Sequence, residues 1–477
     1  MSSSEASFEW VPEASAEIRL SELISAMSCA LDITEGQPEG HAIRTCLIGM
    51  RIAEILGMPA AERSDLFYAL LLKDLGSSSN AGKVCLLFGA DDRAIKRGLR
   101  SVNWSRMTDS IRFMHHNLMP EGSSLQRALR TVVLALEGHS APKKLVQTRA
   151  EQGAAIARHM GFSEETATAL LHLDEHWDGH GLPQGLQGEE ISLFGRILGI
   201  AQSIEVYWSS GGPQAAIDMV RDRRKRWFDP ELADIFLTLS EDAAFRELIA
   251  TDDPQQAVAR VEPEDRILMA NDACIDRVAR AFAQVVDAKS PWTFRHSEGV
   301  ARIAVGMATT LGLSPEEVTR VYRAALLHDI GKLGVSNLIL DKRGELSSEE
   351  YVELRRHPEL SYQILSRVSC FQDLATIAGA HHERLDGRGY HQGLTGTDLT
   401  REMRLLAVAD ICDALSASRP YRAALPPEQV LEVLRRDAGT GVCPECVEAL
   451  EKYELQAAQI HRINAQLEEI DRVLSEL

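Results

Sequence analysis

A chain of 477 residues, 45% of them hydrophobic, is long enough to bury two or three cores. Its formal charge of -19 argues against a nucleic-acid polymer held by charge, although metal ions and a few local arginines can still draw a small anion into one pocket. Met1 to Leu20 has no basic segment followed by an apolar core, and nowhere do about 18 apolar residues run together, so no membrane span is expected and the expected location is cytoplasmic.

The periodicity is helical nearly everywhere, and the expected fold is all-α. In chain order, His41-Ala-Ile-Arg44 opens a helix ending at Leu56-Gly57, and Lys73-Asp74 closes the next. His115-His116 reads as a solvated polar face. Thr251 to Arg266, with Asp252, Asp253, Pro254 and Pro263, reads as a linker. After it, Val300, Ile303, Met307 and Leu311 share one helix face, and Ala324, Leu327 and Ile330 continue the pattern. Cys443-Pro-Glu-Cys446 is the one close pair among eight cysteines; no second pair or preceding strand suggests zinc or redox use, so two reduced thiols are expected. Finally Ile460, Ile463, Leu467, Ile470, Leu474 and Leu477 form a heptad seam, which fits either a second copy in a homodimer or the protein's own body.

The two halves repeat. His41 to Lys73-Asp74 has the same stride as His296 to His328-Asp329, and Asp174-Glu-His-Trp-Asp-Gly-His-Gly-Leu-Pro-Gln-Gly-Leu186 mirrors His382-Glu-Arg-Leu-Asp-Gly-Arg-Gly-Tyr-His-Gln-Gly-Leu394. The chemistry has diverged. Lys73 stands for His328, Ser77 for Lys332, Leu173-Asp174 for His381-His382 and Gln202 for Asp410, so only His41 and Asp74 of the ligands survive in the first copy. The expected organisation is a degenerate copy over 1–255, structural or regulatory, then a working copy over 267–450 and an amphipathic C-terminal helix over 451–477.

In the second copy His296, His328, Asp329, His357, His381, His382 and Asp410 offer seven nitrogen and oxygen donors, enough for two metal ions bridged by one carboxylate. Paired ions suit phosphate-ester hydrolysis. Asp329, beside His328, is placed to bridge and to help ionise a water between the ions, giving a hydroxide for in-line attack on phosphorus. Lys332, about one turn on, is placed to neutralise charge on the attacked phosphate. Asp410 and Asp413 share a helix face, one for metal and the other for substrate.

His328-Asp-Ile-Gly-Lys332, His381-His-Glu-Arg-Leu-Asp-Gly-Arg-Gly-Tyr390 and Arg419-Pro-Tyr-Arg422 together resemble the HD-GYP family of bacterial phosphodiesterases, part of the HD superfamily of metal-dependent phosphohydrolases. The resemblance covers about Asp272 to Leu450; the first copy resembles a degenerate HD domain more weakly. It implies tandem all-helical HD-type domains, a binuclear or trinuclear centre and hydrolysis of cyclic di-GMP to the linear dinucleotide or GMP. It also implies that Tyr390, Asp413, Arg419 and Arg422 contact the nucleotide.

Departures from the family pattern are Gly389-Tyr390-His391, with histidine where proline is usual in a loop linked to diguanylate cyclase partners, and Ser336 in a proline position. Family members that bind three ions carry a glutamate four residues before the first ligand histidine. Trp292 stands there, so two ions are expected, iron or manganese rather than zinc because the donor set suits high coordination. A hydrolase of another nucleotide and a catalytically silent scaffold or nucleotide sensor remain the alternatives.

Overall fold

The apolar spacing around Val300 and Ala324 becomes two packed helices, His296–Thr310 and Pro315–Leu327, that bury Val300, Ile303 and Met307 against Val321, Ala324 and Leu327. Ser314 and Glu317 cap the second reciprocally, Pro315 supplies its first turn, and it stops where His328 and Asp329 lead into the 3-10 turn Ile330–Gly334. The computed structural model describes residues 18–102, 107–120, 122–127, 130–131, 140–251, 253–293, 295–418, 423–456 and 459. Among these residues the fold is helical, and the one sheet is a two-residue antiparallel pair joining Ile18–Arg19 to Met269–Ala270. No helix among them is long and apolar enough to cross a membrane. The heptad seam from Ile460 to Leu477 lies outside the described residues.

The repeat is carried into three dimensions. His41–Ile55 and His296–Thr310 are helices of 15 residues each, opened by the matched histidines. The approach of the next element is fixed by a matched glycine. A Cβ on Gly331 would lie 2.0 Å from the His357 carbonyl oxygen, and one on Gly76 would lie 1.9 Å from that of Arg149, so only glycine lets the following helix close on the turn. Arg149 thus occupies the place of His357.

The copies are not separate beads. Leu20–Thr34 packs on Ile330–Gly334 and His357–Leu365 of the second copy as well as on His41–Ile55, while Asp272–Asp287 packs on Ser77–Asn80 and Ser140–Met160 of the first as well as on Pro315–Leu327. One apolar cluster runs through both. The expected linker is part of this body. Asp253 accepts from the Gln256 N–H at 3.0 Å and Pro254 starts the helix Pro254–Val261, which packs on Leu20–Thr34 and His41–Ile55. The same Asp and Pro that suggest a loop also start helices, and burial decides between them. Glu262 follows, buried, and accepts from the Ser21 hydroxyl at 2.7 Å.

Extra sequence in the first copy forms Ala81–Phe88, Asp92–Ser101 and Met107–Asn117 around a satellite core of Val84, Phe88, Ile95, Phe113 and Leu118. His115 and His116 are exposed on the last of these helices. Asp92 ties the insertion to the second copy: its buried carboxylate pairs with the buried Lys289 ammonium at 3.2 Å and accepts the Asn337 N–H at 3.1 Å.

Removing one partner of that pair leaves a charge without its match inside the fold. Lys289→Met is expected to lower unfolding stability by about 3 kcal/mol. Urea unfolding checks it, with a single transition expected for both copies; a loss below about 1 kcal/mol would place Asp92 in contact with water.

Candidate metal centre

Five chain segments bring the seven expected donors to one point. His296 and His357 open their helices, His328 and Asp329 end Pro315–Leu327, His381 and His382 follow Gln372–Gly379, and Asp410 lies within Arg401–Ser416. Asp329 stands between two sets. Its Oδ2 is 3.5 and 3.4 Å from Nε2 of His296 and His328, and its Oδ1 is 3.3 and 3.7 Å from Nε2 of His357 and His381. Asp410 Oδ1 lies 3.3 and 3.8 Å from the first two histidines, and its Oδ2 lies 3.9 Å from His382 Nδ1. His296, His328 and Asp410 form one ligand group and His357, His381 and His382 another, with His328, Asp329 and His381 a third across the middle.

The imidazoles are aimed by their outer nitrogens. Nδ1–H of His328, His357 and His381 donates to the carbonyls of Ala325, Leu354 and Ala378 at 2.8, 2.7 and 2.5 Å, leaving each Nε2 lone pair for the centre. Two of those lone pairs, on His357 and His381, face each other 3.1 Å apart, an arrangement that calls for a cation. His296 Nε2, His328 Nε2 and Asp329 Oδ1 are buried without a hydrogen-bond partner. The donor set and its orphaned atoms fit divalent metal ions.

Charge is divided across the centre. Burial opposes ionisation of Asp329, but Lys332, His328, His296 and His357 outweigh it and hold the carboxyl well below the usual range; Asp410 is held low in the same way by His296 and His328. Burial pushes His357 down to about 3 and His381 to about 4, and pushes His382 well down too, so these three rings are neutral and ready to ligate. Against the same burial, Asp329, Asp410 and Asp413 raise His296, and Asp329 and Asp410 raise His328.

Asp413 Oδ2 accepts from His296 Nδ1 at 2.7 Å and so orients a ligand from behind. Gly299 makes room, since a Cβ there would lie 2.1 Å from Asp413 Oδ1. Lys332 Nζ bonds to Asp329 Oδ2. Tyr390 packs its ring 4.9 Å from that of His382, and the Arg355 guanidinium sits 4.7 Å over Tyr390 and 4.5 Å over Tyr351. Arg355 and Tyr351 escape the sequence reading because nothing in a lone exposed arginine and tyrosine marks them. Glu383, also missed, is buried and accepts the N–H groups of Gln392, Gly393 and Leu394 at 2.7, 3.1 and 3.0 Å, shaping the loop that presents Tyr390. His391 points toward Gly379 and belongs to no ligand group. Arg419 and Arg422 lie outside the described residues. Cys443 and Cys446 are buried free thiols, and burial raises the latter.

In the first copy, fixed cations take over. The Lys73 ammonium bonds to Asp74, both buried; Arg100 reaches Glu35, Asp74 and Asp174 at 3.0, 3.4 and 3.1 Å; Arg149 reaches Asp174 at 2.8 Å. Among the described residues no ligand group forms there. His41 keeps its acidic backing through Glu205, the counterpart of Asp413.

The HD domain family model matches residues 137–232 and 280–444. The chain is 42% identical to the 3'3'-cGAMP-specific phosphodiesterase 3 of Vibrio cholerae, over 91% of this chain and 94% of that one. The cyclic di-GMP phosphodiesterase response regulator RpfG of Xanthomonas campestris is 38% identical over 39% of this chain and 49% of its own. Among solved structures, that of a V. cholerae cyclic GMP-AMP-specific phosphodiesterase, V-cGAP3, superposes with a TM-score of 0.63 at 38% identity, covering 92% of this chain and 98% of that chain. The chain therefore belongs to the HD-domain family of metal-dependent phosphohydrolases, in its HD-GYP branch.

Two outcomes follow from this geometry. Asp413→Ala removes the backing of His296 and is expected to weaken metal affinity about 10- to 100-fold, read by competition with a chelator; unchanged affinity would show that His296 is held by other means. Metal binding must also displace protons from His296 and His328, whose raised affinities favour the charged form, whereas His357, His381 and His382 are already neutral. Affinity should therefore climb as pH rises from about 6 to 8, by about tenfold per unit for each proton displaced. A flat profile in calorimetric titration would contradict the raised histidines.

Proposed function

We propose that this protein is a metal-dependent phosphodiesterase of 3'3'-cyclic dinucleotides with 3'3'-cyclic GMP-AMP as its preferred substrate. The observation that carries the reading is the pair of ligand groups sharing Asp329, one carboxylate oxygen toward each. The motif resemblance points to cyclic di-GMP. Relatives named for that activity, RpfG and a Thermotoga maritima enzyme, align with 39% and 36% of the chain; of three relatives named for cyclic GMP-AMP, two align with 34% and 35% and one with 91%, both copies included. That coverage favours the mixed dinucleotide.

His296, His328 and Asp410 would hold one ion, and His357, His381 and His382 the other, with Asp329 shared. Bound divalent ions supply Lewis-acid charge at the scissile phosphate and lower the pKa of water. Lys332, already at the edge of the centre, offers its ammonium to a non-bridging phosphate oxygen as charge builds there. Tyr390 keeps its hydroxyl protonated, because burial raises it above the usual phenol range, and so donates a hydrogen bond without adding charge. Arg355, held over the Tyr351 and Tyr390 rings, is a cation suited to the second phosphate of the ring. Two ions are the expected complement, since Asp413 is engaged by His296 and Asp287 by Ser297, leaving Trp292 without an acidic substitute. Iron or manganese suits the six flanking donors and the shared carboxylate better than tetrahedral zinc.

Turnover of 3'3'-cyclic GMP-AMP, cyclic di-GMP and cyclic di-AMP by anaerobically purified, metal-counted protein tests the reading. The mixed dinucleotide should give the highest kcat/KM; an equal or higher value for cyclic di-GMP would overturn the substrate assignment, and binding without turnover of any would overturn the enzyme. Asp329→Ala should lose both metal and rate. The pair Lys73→Met with Asp74→Leu, which removes both charges of the degenerate site together, should leave metal content at two per chain.

A further inference from the structure

Beyond the metal donors, a ladder of rings and charge leads from the centre to the surface. The Tyr390 ring lies 4.9 Å from that of His382, the Arg355 guanidinium lies 4.7 Å over Tyr390, and the same guanidinium lies 4.5 Å over Tyr351. Three contacts therefore connect a ligand histidine to a tyrosine that is 47% exposed. A large aromatic ring left this open beside a charged centre is available to a flat partner.

The ring is held in place from several sides. Tyr351 belongs to the helix Ser348–Leu354, which Ser347 and Glu350 cap reciprocally. Lys342 pairs with Glu350, and Arg93 of the first copy reaches Glu353 at 3.6 Å. Glu353 also takes Arg356 at 3.8 Å, so the acid nearest Arg355 in sequence is engaged by other cations. Among the described residues Arg355 has no carboxylate partner, and its guanidinium lies a long 3.5 Å from the Tyr351 hydroxyl. A cation and an aromatic face thus stand side by side. In a 3'3'-cyclic dinucleotide each ribose joins the two phosphates and carries a base, so the second phosphate and a base branch from one sugar and reach the protein together. The guanidinium suits that phosphate, and the ring suits the base.

We propose that Tyr351 is the stacking platform for one purine base of the dinucleotide, with the neighbouring phosphate on Arg355. The proposal rests on the cyclic-dinucleotide reading above and adds a residue which that reading does not use. Every base has a π face, so the platform sets affinity and leaves the choice between guanine and adenine to other groups. Steady-state kinetics of the full, metal-counted chain with 3'3'-cyclic GMP-AMP test it. A contact made equally in the ground and transition states is lost from KM alone, so Tyr351→Ala should raise KM about tenfold or more and leave kcat within about twofold. Tyr351→Phe keeps the ring and should bring KM back to within about twofold of wild type. Because the helix leads on to His357, a merely structural role would appear instead as lost metal, a lower melting temperature or a fall in kcat. Those signs in Tyr351→Ala, an unchanged KM, or no rescue by Tyr351→Phe would each overturn the platform and leave the phosphodiesterase reading intact. Wild-type protein that turns over no cyclic dinucleotide would overturn that reading, and the platform with it.

Discussion

A buried carboxylate after the first long helix pair is the constraint on which both copies are built. Asp329 and Asp74 are each about 1% exposed, and an ionised carboxyl at that depth needs positive charge within reach. The second copy answers with Lys332 on one side and with histidine lone pairs aimed to hold metal on the other. The first answers with the Lys73 ammonium and the Arg100 guanidinium. The same fold problem is met by a donor set suited to exchangeable ions in one half and by covalently attached cations in the other.

Packing ties the first copy to the second. Leu20–Thr34 and Asp272–Asp287 each lie against both copies, and the buried Asp92–Lys289 pair joins the insertion to the segment just before His296. The Asp92–Ser101 helix therefore has two roles: its start is bonded to Lys289 and Asn337 of the second copy, and its later residues Lys96, Leu99 and Arg100 line a cavity of the first. Removal of the first copy would expose the apolar face of the second.

Much of the centre was legible in the chain because histidine and aspartate are donors by nature and their order matches a known pattern. The repeat identified its silent counterpart, Lys73 for His328 and Gln202 for Asp410. Less legible were side chains whose role depends on where a distant helix lies. Asp413 is 117 residues from the His296 ring that it orients, and its place one turn after Asp410 gave no sign of that contact. A clue was present in the repeat, where Glu205 is acidic at the matching position. Arg149 could be paired with His357 only once Gly76 and Gly331 were seen to meet their carbonyls. The linker's helical form was not legible because Asp253 and Pro254 open a loop and a helix with equal ease.

The sequence by itself determined the helical class, the duplication, the donor set and the loss of that set in the first copy, since each depends on residue type and spacing along the chain. Tertiary structure alone decided that Asp329 turns one oxygen to each histidine pair, that Asp413 stands behind His296, and that the two copies share one core. It also decided that the degenerate site is a cavity lined by Arg149, Leu173, Asp174 and Gln202 rather than a filled core. These are distances between segments far apart in the chain, set by how glycine-permitted close approaches and apolar faces pack together, and no local pattern of residues encodes them.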